Sequence, residues 1–529
     1  MNRHRSIPIV LASATRRLSA AALFAGVVLL SGCPRQDAVP APERVAAAEA
    51  SAAVASPAPV GGIADRGVSS RPGDGRTGRA VVAAEPPALC SSVKQYGITF
   101  GFDRAYPCGQ FANGDFWVAP AGDSQGRVRI MSISPGFSSG RNGFEVNPSS
   151  VSRHGFDRTA YGYDARLVPA LPYSAAPNQS IVKAISRSGD EKTSLETAAV
   201  LTVLAAPPAD NGRGLFRPPY FGSKKPLIPV ARLRMDRLPA YAPLPMMPAL
   251  SAVSDRFRRV QLDHQLGWSA DQIHPKQNMP DYGAQIAIDT ASAALRLMVR
   301  DDDAQRRQLA MFLAQYALDL KAAMEGGLHF YADGGHRHGR KLVLTLGSLL
   351  LDDAAMAARV RDFQQDTYQE DGQLSIGAGS GKVLFGSPCT VEEYWENQNN
   401  GTSTRDCRDP YGYIDGGQEP AGYYQFCCTA KGYKAAALAL RLMPSLRCVW
   451  TDTRILLYAD RWVNHGAWTQ PDPYQPRGSG ALDSNPSDGT GRWPALHGAG
   501  RDDGYYGDDF ADAMWAAYRG QAGDTVQCQ

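Results

Sequence analysis

Hydrophobic periodicity changes once along this chain, near Pro248, and that change limits the architectures it can adopt. Before it, apolar residues alternate. Ile98, Phe100 and Phe102 lie at period two, followed by Phe116–Val118, Val128–Ile133, Ile181–Ile185, Ala198–Leu204 and Leu227–Leu233. Period two is the signature of a strand with one face buried. Gly, Pro and Asn separate these pieces, and residues 90–240 are expected to form a β-sandwich-like domain. After Pro248 the spacing becomes helical: Leu250, Val253, Phe257 and Val260; Ile286, Ala291, Leu295 and Met298; then Leu309, Phe312, Leu313, Tyr316 and Leu320. Further helices are expected at 340–350, 353–364, 430–443, 452–463 and 508–518, so residues 241–529 read as stacked helical hairpins. The fold class expected is therefore α+β and multidomain. Residues 366–426 lack periodicity and are rich in Gly, Tyr and Cys, which suits an ordered functional loop.

The first 32 residues have a different character. Arg3, Arg5, Arg16 and Arg17 precede an apolar run from Leu18 to Leu30, with no acid before Asp37. The run is shorter than the about 20 residues a spanning helix needs. It ends Leu30-Ser31-Gly32-Cys33, which resembles the lipobox of bacterial lipoproteins. Cleavage there would leave Cys33 acylated and the protein held to the lipid bilayer of the cell envelope. Pro34 stands where an inner-membrane retention signal would have Asp, which points to the outer membrane. Residues 34–89 hold 15 alanines and 8 prolines but no aromatic residue. Such a segment cannot bury enough apolar area to offset its ordering entropy, and 33–89 is expected to be a disordered tether.

Removing residues 1–32 takes away four arginines, which leaves 51 basic against 52 acidic residues. That balance excludes a dedicated nucleic-acid binder, which would carry a basic stripe. With Cys33 as the anchor, eight cysteines remain, at 90, 108, 389, 407, 427, 428, 448 and 528. An even set in an exported protein suggests disulfides. Proximity makes Cys90–Cys108 plausible, with other pairs drawn from 389, 407, 427, 428 and 448. A zinc site is the rival use, but the chain has no CxxC pair.

Three polar clusters could carry chemistry. Tyr331-Ala-Asp333-Gly-Gly-His336-Arg337-His338-Gly-Arg340-Lys341 opens an expected helix. There glycines would let the backbone approach a ligand closely, Arg340 could fork onto a carboxylate, and a histidine could shuttle protons. The structural alternative is a capped loop with solvated charges. His274-Pro-Lys-Gln-Asn278-Met-Pro-Asp281-Tyr282-Gly283 precedes another helix. Asp281 could simply cap it, whereas Asn278 could stabilise an enolate and Tyr282 could act as acid or base. Glu392-Glu393-Tyr394-Trp395, with Tyr411, Tyr413, Asp415, Tyr423 and Tyr424, offers flat rings with polar tips that suit sugars. Aromatics pinning a disulfide-rich loop would look the same. Asp281, Tyr331, Asp333, Tyr394, Trp395 and Tyr424 are the candidate substrate-binding residues.

Three short matches fail. Gly136-Phe-Ser138-Ser-Gly140 fits GxSxG, but no helical pattern follows it. Residues 377–382 resemble a P-loop, yet Ile376 replaces the first Gly and Val383 the final Ser or Thr. His336-x-His338 could hold a metal with Asp333 or His274, but HxH alone is weak evidence; no cofactor is expected.

The segments at 98–118, 278–283, 333–341 and 424–430 resemble those of uncharacterised exported bacterial lipoproteins bearing ITFxFDxxYPxGQFANGDFWV, NMPDYG, DGGHxxGRK and YxxCCTA. More distantly, the Asn, Tyr, His and Arg clusters on helical hairpins resemble the (α/α)-toroid polysaccharide lyases acting on uronic acids. That resemblance implies a toroid-like helical domain, a polysaccharide substrate and β-elimination. Asn278 and Arg340 would neutralise the C5 carboxylate, while His336 or His338 and Tyr282 would transfer protons. A glycoside hydrolase would instead need two carboxylates, such as Asp281 or Asp333 with Glu393 or Asp415. A non-catalytic glycan-binding lipoprotein is the third reading.

Overall fold

The computed structural model describes residues 86–120, 126–188, 193–267, 269–277, 283–331, 335–361, 367–376, 383–385, 429–465, 508–523 and 528. The expected signal peptide, Cys33 and most of the tether lie outside them. So do Asn278, Asp281, Tyr282, Asp333, Tyr394, Trp395 and Tyr424, and cysteines 389, 407, 427 and 428.

Eight strands form one sheet: β1 (Ala88–Gln95), β2 (Ile98–Gln110), β3 (Phe116–Val118), β4 (Val128–Ser134), β5 (Phe144–Val146), β6 (Tyr173–Ala175), β7 (Gln179–Ser186) and β8 (Leu195–Val203). Their order is β5-β7-β8-β3-β2-β4-β6, with β1 on β2. All pairs are antiparallel except β3 on β8. The sheet curls into a mixed half-barrel, not the two facing layers of the expected sandwich. The reason is visible in its core. Val93, Phe100, Val118, Ile130, Phe144, Ala175, Ile181 and Leu201, one from each strand, meet in a single cluster on one face. A sheet that covers its own face needs no second layer. Alternation in the sequence identifies strands but not which strands pair.

The other face of the sheet is also buried. Along β7 and β8, Val182, Ala184, Ala198 and Val200 alternate with the residues above and join the helical core. Burial on both faces explains why these strands read as nearly continuous apolar runs. Leu227–Leu233 is not a strand. Pro226 and Pro229 lack backbone donors, and the segment makes one isolated bridge, Pro229 to Leu215, and a single-turn helix at Val230–Arg232.

The helices are α1 (Leu250–Phe257), α2 (Ser269–Ile273), α3 (Gly283–Leu297), α4 (Asp303–Glu325), α5 (Arg340–Leu351), α6 (Ala354–Arg361) and α7 (Gln369–Gly372). After a ribbon of β9 (Leu374–Ile376) and β10 (Val383–Phe385) come α8 (Ala430–Leu442), α9 (Pro444–Trp450), α10 (Arg454–His465) and α11 (Asp509–Tyr518). The expected helical segments fall on α1, α3, α4, α5, α6, α8, α10 and α11. The expected toroid does not follow. Sequential hairpins join α4 to α5 and α5 to α6, but α3 packs chiefly on α8, and the ribbon breaks the series. Helical period reports which face is buried and is silent on the partner. Among the described residues no helix is long and apolar enough to cross a membrane.

Two disulfides occur among the described residues. Cys90–Cys108 ties β1 to β2. Cys448 pairs with Cys528, 80 residues away, rather than with its neighbours in sequence.

Candidate active site

Asp263 anchors the site. It lies in the segment between α1 and α2 and is 2% exposed. The Arg340 guanidinium donates to it through Nε (2.7 Å to Oδ2) and Nη2 (3.3 Å to Oδ1). Tyr316 of α4 donates its hydroxyl to Oδ2 at 2.5 Å, and His274 Nε2 lies 3.1 Å from Oδ1. Burial alone would raise the Asp263 pKa. Arg340 first and then His274 outweigh it and hold the carboxyl well below its usual range. Burial and the same carboxylate push the Tyr316 hydroxyl up, so it stays a neutral donor.

Arg340 begins α5 and also organises the loop before it. Its Nη1 donates to the carbonyls of His336 (3.0 Å) and His338 (3.1 Å). The residue is fully buried. Its guanidinium is thus engaged inside the protein and holds the loop from within. The loop is pinned on its other side by α7. Gln369 Oε1 accepts from the Arg337 amide at 2.7 Å, and Glu370 Oε1 accepts from the Gly339 amide at 2.6 Å. Arg337 itself donates to the carbonyls of Gln265 (3.1 Å) and Gly267. Gly339 takes a φ of +93°, and a Cβ there would meet Ala287 Cα of α3 at 2.6 Å, so only glycine fits.

The two histidines differ. His338 is 1% exposed and packs edge-on against the Tyr433 ring of α8. Burial, reinforced by Arg340 and His336, lowers its pKa to about 3, which keeps it neutral. Its Nε2 has no hydrogen-bond partner among the described residues. His336 is more accessible, with 13% side-chain exposure, and its Nδ1 lies 2.6 Å from Oδ2 of Asp271 on α2. The ring N–H does not point along that line, so the contact is one of charge and proximity more than a directed hydrogen bond. The buried carboxylate thus sets a charged neighbour at Nδ1, and Nε2 lies on the opposite edge of the ring.

The helix that starts after Tyr282 abuts this loop. Gly283 opens α3, and a Cβ on it would fall 2.2 Å from the carbonyl carbon and oxygen of His336. The DGGHxxGRK loop and the end of NMPDYG therefore meet backbone to backbone. Tyr331 is 40% exposed at the outer end of the loop. Lys341, one residue past Arg340, is turned away. It donates to both oxygens of Asp371 (2.7 and 2.8 Å) and lies 4.3 Å from the Trp450 ring centroid. Asp263, Asp271, Gln369 and Glu370 had no motif to mark them; each is a lone polar residue whose importance comes only from burial.

No group of three His, Cys, Asp or Glu side chains suited to a metal occurs among the described residues. The GxSxG match lies in a tight turn where Ser138 pairs with Arg141, far from a nucleophile elbow in kind. Elsewhere a cleft of about 810 Å³ is lined by Met246, Arg256, Asp289, Ser292, Asp508 and Phe510, among others. Arg256 donates to Asp289 at 3.0 Å. Burial raises Asp289 to about 6, Arg256 opposing and Asp508 adding to the rise. No protein-family model, curated protein or solved structure matches this chain, so its function has to be read from its own residues.

Proposed function

We propose that this protein is a lipid-tethered carbohydrate-active enzyme of the cell envelope that cleaves a uronic-acid-containing polysaccharide by β-elimination. The observation that supports this reading best is the pairing of accessible His336 with buried Asp271, held on a loop that Arg340 fixes from inside. In the reaction proposed, His336 Nε2 takes the proton at C5 of the uronate. The electron pair left behind forms the C4–C5 double bond, and the C4–oxygen bond breaks. The departing oxygen takes a proton, for which Tyr282 is the candidate donor. Asn278 is the candidate for stabilising the charge that develops on the carboxylate, the term that most lowers the barrier. Both precede Gly283, whose backbone touches His336. Arg340 is a positioning residue in this scheme, because its guanidinium already serves Asp263 and two carbonyls. His338 contributes packing as a neutral ring.

A hydrolase is the second reading, and the cleft that holds both Asp289 and Asp508 favours it, since hydrolysis needs two carboxylates at one site. The carboxylates that the sequence suggested for it, Asp281, Asp333, Glu393 and Asp415, lie outside the described residues. Incubation with polygalacturonate, alginate and hyaluronan separates the readings. Elimination yields a conjugated double bond that absorbs in the ultraviolet, whereas hydrolysis yields reducing ends without it.

A further inference from the structure

We infer that the curled sheet carries a second, non-catalytic site that binds an oxyanion group of an acidic polysaccharide, in a cleft built by Arg104, Arg127 and Arg129. The choice of polysaccharide rests on the function proposed above; the oxyanion chemistry does not.

The cleft arises from the way β2 leaves β4. The two strands pair from Thr99↔Ser134 to Phe102↔Ile130, with a bulge at Gly101, and then part. Beyond that point β4 is held on its other edge by β6, where Arg129 faces Ser174. The Arg129 amide, left without a ladder partner on β2, donates to the Tyr106 hydroxyl at 3.3 Å. That hydroxyl in turn donates to Asp103 at 2.8 Å. The parted strands enclose about 350 Å³ lined by Asp103, Arg104, Tyr106, Arg127, Arg129, Pro172 and Ser174.

Among the described residues three guanidinium groups and one carboxylate line the cleft, an excess of positive charge. The arginines are exposed, yet parts of the cleft are fixed. Arg127 donates through Nη1 to the Ser174 carbonyl at 3.0 Å, and the Arg104 guanidinium lies 5.0 Å from the Tyr106 ring centroid. Tyr106, at the floor, is 1% exposed. Among the described residues neither Arg127 nor Arg129 forms an ion pair, and Arg127 keeps its guanidinium nitrogens other than Nη1, which serves the Ser174 carbonyl. Arginine forks match carboxylate, sulfate and phosphate geometry. A recess of this size admits one anionic group with part of a sugar ring. A polymer held here would stay near the enzyme between cleavage events.

The test uses the full mature chain and the double variant Arg127→Gln/Arg129→Gln, with Arg127→Lys/Arg129→Lys as a charge-preserving control. Binding of polygalacturonate, dextran, inorganic phosphate and phosphatidylglycerol vesicles is measured by calorimetry or sedimentation, alongside product formation. The inference predicts that polygalacturonate binds and dextran does not, that the Gln variant binds at least ~10-fold more weakly, and that added salt weakens the wild type more than the variant. The Lys control should retain much of the affinity. Cleavage of a short oligouronide should be unchanged in the Gln variant. Equal polygalacturonate affinity in wild type and Gln variant overturns the inference, as does arginine-dependent binding of vesicles alone or of free phosphate alone. If arginine-dependent binding is found but no substrate is cleaved, this site stands and the lyase reading fails.

Discussion

A Cβ built on Gly283 would fall 2.2 Å from the backbone carbonyl of His336. Real Cβ atoms essentially never come within 3.0 Å of another heavy atom, and backbone atoms cannot swing aside as a flexible side chain can. Gly283→Ala should therefore push the start of α3 and the His336 loop apart, at a cost of about 1–3 kcal/mol. The thermal midpoint should fall, and activity on polymer should fall further than stability alone explains. An unchanged midpoint would show that the two segments do not meet as described.

The Asp263 network makes a second prediction. Arg340→Met removes the principal cation from a fully buried carboxylate that also faces Tyr316 and His274. Breaking one side of a buried pair typically costs about 3–5 kcal/mol. Denaturant titration should show a loss of that size. Asp263→Asn combined with Arg340→Met should recover part of it, because the uncompensated charge is then gone. Additive losses would mean the two residues are not coupled.

Buried neutral histidine gives a pH dependence whose sign can be worked out. His338 titrates near 6.5 when unfolded and at about 3 when folded. Between those values the unfolded chain binds more protons, so stability falls as the pH drops from about 6.5 toward 3. His264, lowered to about 3 by burial, and His154, lowered to about 4 by burial, act in the same direction. Glu145, raised to about 7 by burial, opposes them over the upper part of that range. The clean test is therefore the difference between wild type and His338→Gln. Its magnitude should change with pH inside this window and be flat above it. A difference independent of pH would mean that His338 is not held neutral.

The Asp271 contact predicts a division between activity and fold. Asp271→Asn keeps the shape but removes the charge beside His336 Nδ1. Turnover should fall at least ~10-fold and its pH profile should move, because the charge beside the imidazole is removed. A mere loss of stability, with the pH profile unmoved, would make Asp271 structural only.

Much of the secondary structure was legible in the sequence, because burial imprints period two on β2, β7 and β8 and helical period on α3, α4 and α8. Tertiary arrangement was not. A sandwich and a curled half-barrel write the same alternation, and α3 does not announce that its partner is α8. In the site, Gly283, Gly339 and Gly432 face crowded neighbours of the protein's own, and the residue types alone do not tell such packing from the approach of a ligand. What the residue types could not convey was direction. Arg340 and His338 read as chemical groups, yet they point inward. Asp263 and Asp271 read as ordinary acids, yet they are the buried charges around which the loop is ordered.

The central claim is that His336 removes a proton to start an elimination. Its most direct test follows ultraviolet absorbance of unsaturated uronate while wild type and His336→Ala act on polygalacturonate, alginate and hyaluronan. The account predicts an absorbing product from at least one of these with wild type. His336→Ala, with a thermal midpoint close to wild type, should form it ~10²–10⁴-fold more slowly. Reducing ends without absorbance, or equal rates in the two proteins, would contradict it.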